Sequence, residues 1–187
     1  KPTRQTLPGS KPVQNPPRDR GHANAKHNAK APAKGKGKPG AGKPKADGSK
    51  QWQDGYPNQK SIETDVDNEV GFVLTDGENI IGYSAVLIND EPEYANIEGK
   101  WLTDGDFMVY HRVAIAEEYL GKGFAKMMIE NIHQYAIENS IYSVRADTNF
   151  DNHAMLKIFN DLGYSYCGEV YFRGSARRAF EKMLLNT

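Results

Sequence analysis

The chain has a single cysteine, Cys167, and no run of apolar residues long enough to cross a membrane. One cysteine excludes an intramolecular disulfide framework and a zinc site built from clustered cysteines. A helical membrane span needs ~20 consecutive apolar residues, so none is expected. No apolar core follows Lys1, and a secretion signal is therefore not visible. Together these absences predict a soluble protein of a reducing compartment, placed in the cytoplasm. The lack of Met at position 1 predicts a fragment, a processed form or an excerpt of a longer chain.

Other shortages are confined to one end. Residues 1–50 contain no Phe, Tyr or Trp and only 2 Asp+Glu, against 13 Lys+Arg and 8 Pro. Their net charge is +11 and that of residues 51–187 is −11, so the formal zero of the whole chain is a cancellation. So few apolar side chains and so much like charge cannot offset the entropy of ordering a backbone. Residues 1–50 are thus expected to be a disordered basic arm, Lys26 to Lys50 alternating Lys, Ala, Gly and Pro. Such an arm either neutralises the phosphates of a polyanion or serves as a solvated linker; no aromatic is interleaved to stack on bases. Residues 51–187 suit one domain with its own core.

Within that domain, Asn58 to Asn68 reads as a short helix. Gly71 to Leu74 and Ile80 to Ile88 read as strands around an Asp76-Gly77 turn. A long connection, Asn89 to Thr103, leads to a strand over Asp106 to Ala116. Gly123 to Asn139 has helical periodicity through Phe124, Met128, Ile132, Tyr135 and Ala136. A strand over Ile141 to Asp147, a helix over Asn152 to Leu162 stopped by Gly163, and strands over Tyr164 to Phe172 and Ala176 to Leu184 complete the chain. This order predicts an α/β fold: a mixed, mostly antiparallel sheet flanked by helices.

The segment with the strongest chemical content is Val113-Ala114-Ile115-Ala116-Glu117-Glu118-Tyr119-Leu120-Gly121-Lys122-Gly123-Phe124-Ala125. A buried strand enters a glycine turn that opens an amphipathic helix. Unpaired N–H groups and the helix dipole converge there, and such a point suits a pyrophosphate or is simply a tight strand–helix turn. A Walker loop and a Gly-x-Gly-x-x-Gly fingerprint are both absent, the latter because its third position is Lys126. The segment resembles the acetyl-CoA loop of the GNAT acetyltransferases, [Gln/Arg]-x-x-Gly-x-[Gly/Ala]. Gly123 and Ala125 match its last two fixed positions, and Leu120 stands where the family usually has Gln or Arg. Asn152 to Tyr164 resembles the family's Asn-x-x-[Ala/Met]-x-x-[Leu/Ile]-Tyr-x-x-x-Gly-[Phe/Tyr] helix, with Phe159 in the slot of a Tyr that protonates the departing thiolate. The likeness spans about residues 52–187 and is nearest to small bacterial GNAT proteins. Against that family pattern the N-terminal strand and helix are missing or replaced.

The resemblance implies acetyl-CoA as co-substrate and an N-acetyltransferase acting on a primary amine by direct attack. It implies cofactor contacts from Val113, Ile115, Leu120, Gly121, Lys122, Gly123, Phe124, Ala125 and Asn152, the last also a helix cap. The alternative is a non-catalytic CoA-binding domain with a polyanion-binding arm. Expected partners are a small-molecule or peptide amine, a polyanion on residues 1–50 and a second copy in a homodimer; no membrane partner and no metal are expected. An alkylammonium titrates near ~10.4, so neutralising it at pH 7 costs about 4.6 kcal/mol and a base is worth having. Strand alternation places Val109, His111, Val113 and Ile115 on one face. Val109 cannot act as a base, whereas imidazole titrates near ~6.5, which makes His111 the best-placed one or else a structural histidine. Asp104, Asp106 and Glu98 are candidate attractors of a cationic acceptor, while Tyr164 and Tyr171 are candidate acids or packing residues. His133 is expected on a helix surface.

Overall fold

The computed structural model describes residues 10–12 and 57–184. The Asp76-Gly77 signal closes a hairpin between β2 (Gly71–Asp76) and β3 (Asn79–Ile88), with Gly77 at φ +58 in the turn. β3 pairs antiparallel with β5 (Met108–Ile115), and β5 pairs parallel with β6 (Ser143–Thr148). Parallel neighbours need a crossover, and α2 (Phe124–Glu138) supplies it. β7 (Ser165–Phe172) and β8 (Ser175–Met183) form a second hairpin, which joins β6 through β8. A two-residue strand, β4 (Glu98–Gly99), pairs with β7.

Three residues of the basic arm, Ser10–Pro12 (β1), pair with β2 at the sheet's edge. The edge tolerates Pro12, whose nitrogen donates nothing. The rest of residues 1–50 lies outside the described residues. Among the described residues one eight-stranded sheet results, in the order β1-β2-β3-β5-β6-β8-β7-β4. It is the expected mixed, mostly antiparallel sheet. No described helix is long and apolar enough to cross a membrane.

α2 and α3 (His153–Asp161) cover one face. Met128, Ile129, Ile132 and Ala136 are buried on one stripe of α2, as the period-3.6 pattern requires, and meet Met108, Val144 and Phe159. Ile129 and Ile132 are wholly buried, each contributing roughly 1.5–3 kcal/mol. Asn152 caps α3 by accepting the Met155 N–H at 3.1 Å, and Gly163 ends that helix region at φ +74.

The other face is covered by the connection from Asn89 to Phe107. It is more structured than its sequence suggests: a 3₁₀ turn at Pro92–Asn96 precedes β4. Tyr94 and Trp101 from this connection pack on Val109, Cys167, Val170 and Ala179. α1 (Gln59–Asp67) stands ahead of β2, at the position where a short helix was expected.

Candidate active site

β5 and β6 are bonded only at Met108↔Val144 and Val109↔Arg145. From Tyr110 and Ala146 onward the two strands part and leave a notch in the middle of the sheet. On its other side β5 carries an extra residue: three steps from His111 to Ala114 oppose two from Ala85 to Tyr83. The bulge residue Arg112 takes φ +57, outside the usual range for a non-glycine. Its guanidinium forms a bidentate pair with the buried Asp65 of α1, at 2.5 and 2.9 Å, which offsets the strain.

This bulge overturns the simple alternation expected along β5. Val109 lies in the core of the connection-covered face, whereas Val113 packs against the helix-covered core. Val109 and Val113 therefore do not share a face. An extra residue shifts the period-2 pattern by one, and no sequence signal marks the shift.

Extended in register, the two pairs of the β5–β6 ladder would bring His111 opposite Asp147. The backbones have separated there, and the two side chains face one another across the gap, His111 Nδ1 at 3.9 Å from Asp147 Oδ1. Asp147 is nearly sealed and accepts hydrogen bonds from Tyr94 Oη at 2.8 Å and Arg177 Nη1 at 3.0 Å. On the opposite side of the imidazole, Glu91 Oε2 lies 2.6 Å from Nε2. The carboxylate stands off the ring's N–H direction, so the contact is close without being an aligned hydrogen bond. Burial alone would raise the Glu91 carboxyl, but its contacts with His111 and Glu93 outweigh it and hold it below the usual carboxylate value. Ser84 Oγ donates to the His111 carbonyl at 2.9 Å and fixes the strand at this point.

Glu91, Tyr94, Asp147 and Arg177 were not singled out as site residues from the sequence. They lie 20, 17, 36 and 66 positions from His111, and only the sheet order brings them together. Glu91 and Tyr94 also line a pocket of about 430 Å³ whose walls include Phe107, Trp101 and Asp104. Of the three acidic residues expected to attract a cation, Asp104 faces this pocket. Asp106 instead accepts from Asn89, and Glu98 accepts from Tyr171 Oη.

Beyond β5 the chain makes a 3₁₀ turn at Glu117–Tyr119, passes Leu120, and enters α2 through Gly121 and Gly123 at φ +72 and +85. Both glycines hold a left-handed conformation that a side chain would strain, and a Cβ on either would meet nothing within 4 Å. The space in front of the loop is open. No side chain caps the start of α2, so the amides of Phe124, Ala125 and Lys126 have no intrahelical acceptor. Gly121, Lys122, Gly123 and Leu120 are exposed, Phe124 and Ala125 half-buried, and Val113 and Ile115 half-buried on the strand that leads in. Asn152 is buried at the start of α3, with its amide oxygen committed to the cap.

On the helix-covered face Phe159 is buried, 5.1 Å from the Tyr164 ring and 4.8 Å from Phe180. Tyr164 Oη shares a 2.7 Å hydrogen bond with His133 Nε2. His133, expected on a helix surface, is instead buried on the inner stripe of α2, and burial pulls its imidazole down to about 4. Tyr171 is exposed and remote from this core. Burial pushes the Cys167 thiol up, which keeps it protonated and inert.

A family model described as Acetyltransferase (GNAT) family matches residues 43–164. The chain belongs to the GNAT acetyltransferase family. A GNAT-family acetyltransferase from Streptococcus agalactiae 2603 is 35% identical, covers 75% of this chain and 81% of its own, and superimposes with a TM-score of 0.67. A GNAT-family acetyltransferase from Listeria monocytogenes 4b F2365 shares the fold at 18% identity, over 66% of this chain and 70% of its own, with a TM-score of 0.54. NAA60 of Arabidopsis thaliana, in complex with a bisubstrate analogue, does so at 13% identity, over 69% of this chain and 84% of its own, with a TM-score of 0.53. No curated protein matches the chain. The family agrees with the likeness seen in the sequence.

Proposed function

We propose that this GNAT protein is an N-acetyltransferase that moves the acetyl group of acetyl-CoA to a primary amine. The observation that carries the proposal is the alignment of two features along one strand. The notch opens beside His111, and the same strand runs on into the open, uncapped glycine loop at the start of α2. A pyrophosphate would lie on the amides from Leu120 to Ala125, the pantetheine arm along Val113 and Ile115 with Asn152 opposite, and the thioester at the apex. The fit rests on the loop itself: its left-handed glycines leave an unobstructed cradle of N–H donors. When bound, acetyl-CoA supplies the activated acyl group; the chain's own part is to orient it and to take a proton from the acceptor. His111 would be that base, flanked by the carboxylates of Glu91 and Asp147.

A second reading keeps acetyl-CoA binding without turnover. Phe159 favours it, because a buried phenyl ring donates no proton to a leaving thiolate. Release of free thiol from acetyl-CoA across a panel of amines separates the two. Turnover with any amine supports the enzyme, and a ligand-stabilised protein with no turnover supports the binding domain.

Binding has its own test. Acetyl-CoA at 100 times its dissociation constant should add about 2.7 kcal/mol to stability. Gly123→Asp should abolish that gain by placing a carboxylate where the pyrophosphate lies. Gly174→Asp is the control, since Gly174 sits at φ +78 with equally open space in the β7–β8 turn. Both variants should lose comparable intrinsic stability, and only Gly174→Asp should keep the ligand-induced rise in Tm. A Gly123→Asp protein stabilised like the wild type would remove the loop from the site.

A further inference from the structure

The imidazole of His111 is not symmetric in its surroundings. Nε2 is sealed from solvent and lies 2.6 Å from Glu91 Oε2. Nδ1 faces the gap where β5 and β6 have parted, with Asp147 across it at 3.9 Å. That separation is too long for a direct hydrogen bond. The two flanking carboxylates are held by one piece of chain. The 3₁₀ turn that follows Glu91 fixes its backbone through the Tyr94 N–H, and Tyr94 Oη from the same turn binds Asp147. Trp101 Nε1 anchors the turn in place by donating to the Tyr94 carbonyl at 2.9 Å.

We propose that Glu91 is the positioning residue of His111, holding the ring through Nε2–H, so that Nδ1 is the nitrogen that takes the acceptor's proton. This rests on His111 being the base, and it names the atom and its partner. The arrangement fits an acceptor that arrives as a primary ammonium and presents an N–H to Nδ1, while Asp147 stays nearly sealed behind the gap, held by Tyr94 and Arg177. The first proton passes to Nδ1, and the freed lone pair forms the C–N bond. The C–S pair leaves on sulfur, and the second proton, shed by the new amide nitrogen, neutralises the thiolate. The proton on Nδ1 is afterwards released to solvent. The off-axis Glu91 contact tightens to a hydrogen bond by a small rotation of the carboxylate, as such contacts do when substrate binds.

Nitrogen-15 NMR on the full chain reads the tautomer directly. The neutral His111 ring should carry its proton on Nε2; a proton on Nδ1 would overturn the assignment. Kinetics give a second readout. Glu91→Gln should lower kcat/KM by about 10–100-fold, a part of the ~10²–10⁴-fold that a positioned general base supplies, with KM for acetyl-CoA unchanged. The charges facing this imidazole are Glu91 and its neighbour Glu93 from the connection, Asp147 from β6, and Arg177 from β8 behind Asp147. Removing the Glu91 charge destabilises the imidazolium, so the acid limb of kcat/KM should move to lower pH. Glu91→Asp should move it less. A Glu91→Gln enzyme with an unmoved limb and full rate would overturn the role of Glu91. Loss of activity in His111→Ala alongside that result would leave the base in place. Full activity in His111→Ala would instead remove the base itself. Should Glu91→Gln fail to fold, the wild-type tautomer still decides.

Discussion

His111→Ala is expected to lower kcat/KM by about 10²–10⁴-fold, the usual contribution of a positioned general base. Acetyl-CoA binding should survive, since the loop from Leu120 to Ala125 begins after β5 and none of its backbone groups depends on the imidazole. The loss should therefore fall on kcat with KM for acetyl-CoA nearly unchanged. The pH profile is the sharper test. In the wild type, activity rises with pH as the ring gives up its proton, and in the variant that limb should vanish. A structural histidine predicts a different pattern: removing it would leave Glu91 and the nearly sealed Asp147 facing each other without a cation between them. Such a variant would lose stability and keep its pH limb. A variant with both its rate and its limb intact would mean that water alone accepts the proton.

His111 could be named a candidate base from the sequence, and the residues packed around it could not. The choice needed only a strand, a glycine loop behind it and one imidazole at a suitable distance, all of them local. The helices were equally legible, because Met128, Ile132 and Ala136 repeat at the period of a helix stripe and Gly163 supplies a stop. Strand faces failed at Arg112, since a bulge depends on the opposing strand and the pairing of Ala85 with His111 is not written in either segment alone. The connection from Asn89 to Phe107 looked like a loop because its order comes from tertiary anchors. Trp101 to the Tyr94 carbonyl is one, and the contacts of Glu181 with Leu102 and Thr103 are others. The same connection supplies Glu91 and Tyr94, so the part of the fold that was least legible is the part that completes the site. His133 shows the reverse error: a titratable residue within a helix suggests an outer face, but the Tyr164 hydroxyl gives it a buried partner.

Glu181→Ala should destabilise the protein by about 3–5 kcal/mol, the cost of leaving a buried partner charge alone. Glu181 is wholly buried near the end of β8. It accepts from Leu102 N at 2.5 Å, Thr103 Oγ1 at 2.6 Å, Ser143 Oγ at 2.5 Å and Arg145 Nε at 3.2 Å. The buried guanidinium of Arg145 lies 4.5 Å from the Trp101 ring and 4.2 Å from that of Phe107, and its Nη2 donates to the Thr103 carbonyl at 2.5 Å. Truncation would take the carboxylate from that cation and free the amide of Leu102, so the damage exceeds one lost ion pair. Glu181→Gln keeps an acceptor oxygen and should cost less. Burial by itself would raise the Glu181 carboxyl, but its hydrogen bonds and Arg145 hold it below the ordinary value. A depressed carboxyl contributes stability that is present above its unfolded value and is lost as pH falls through the folded one. The wild type should therefore weaken toward acid more steeply than Glu181→Gln. The consequence reaches the site, because Glu181 is the bolt between β8 and the connection that carries Glu91 and Tyr94. Urea unfolding followed by tryptophan fluorescence should give the stability loss. Amine kinetics at a temperature where the variant stays folded should show a raised KM for the amine and an unchanged KM for acetyl-CoA. A Glu181→Ala protein that unfolds at the wild-type urea midpoint would mean that Arg145 finds another partner and that the connection is held by its aromatic packing alone.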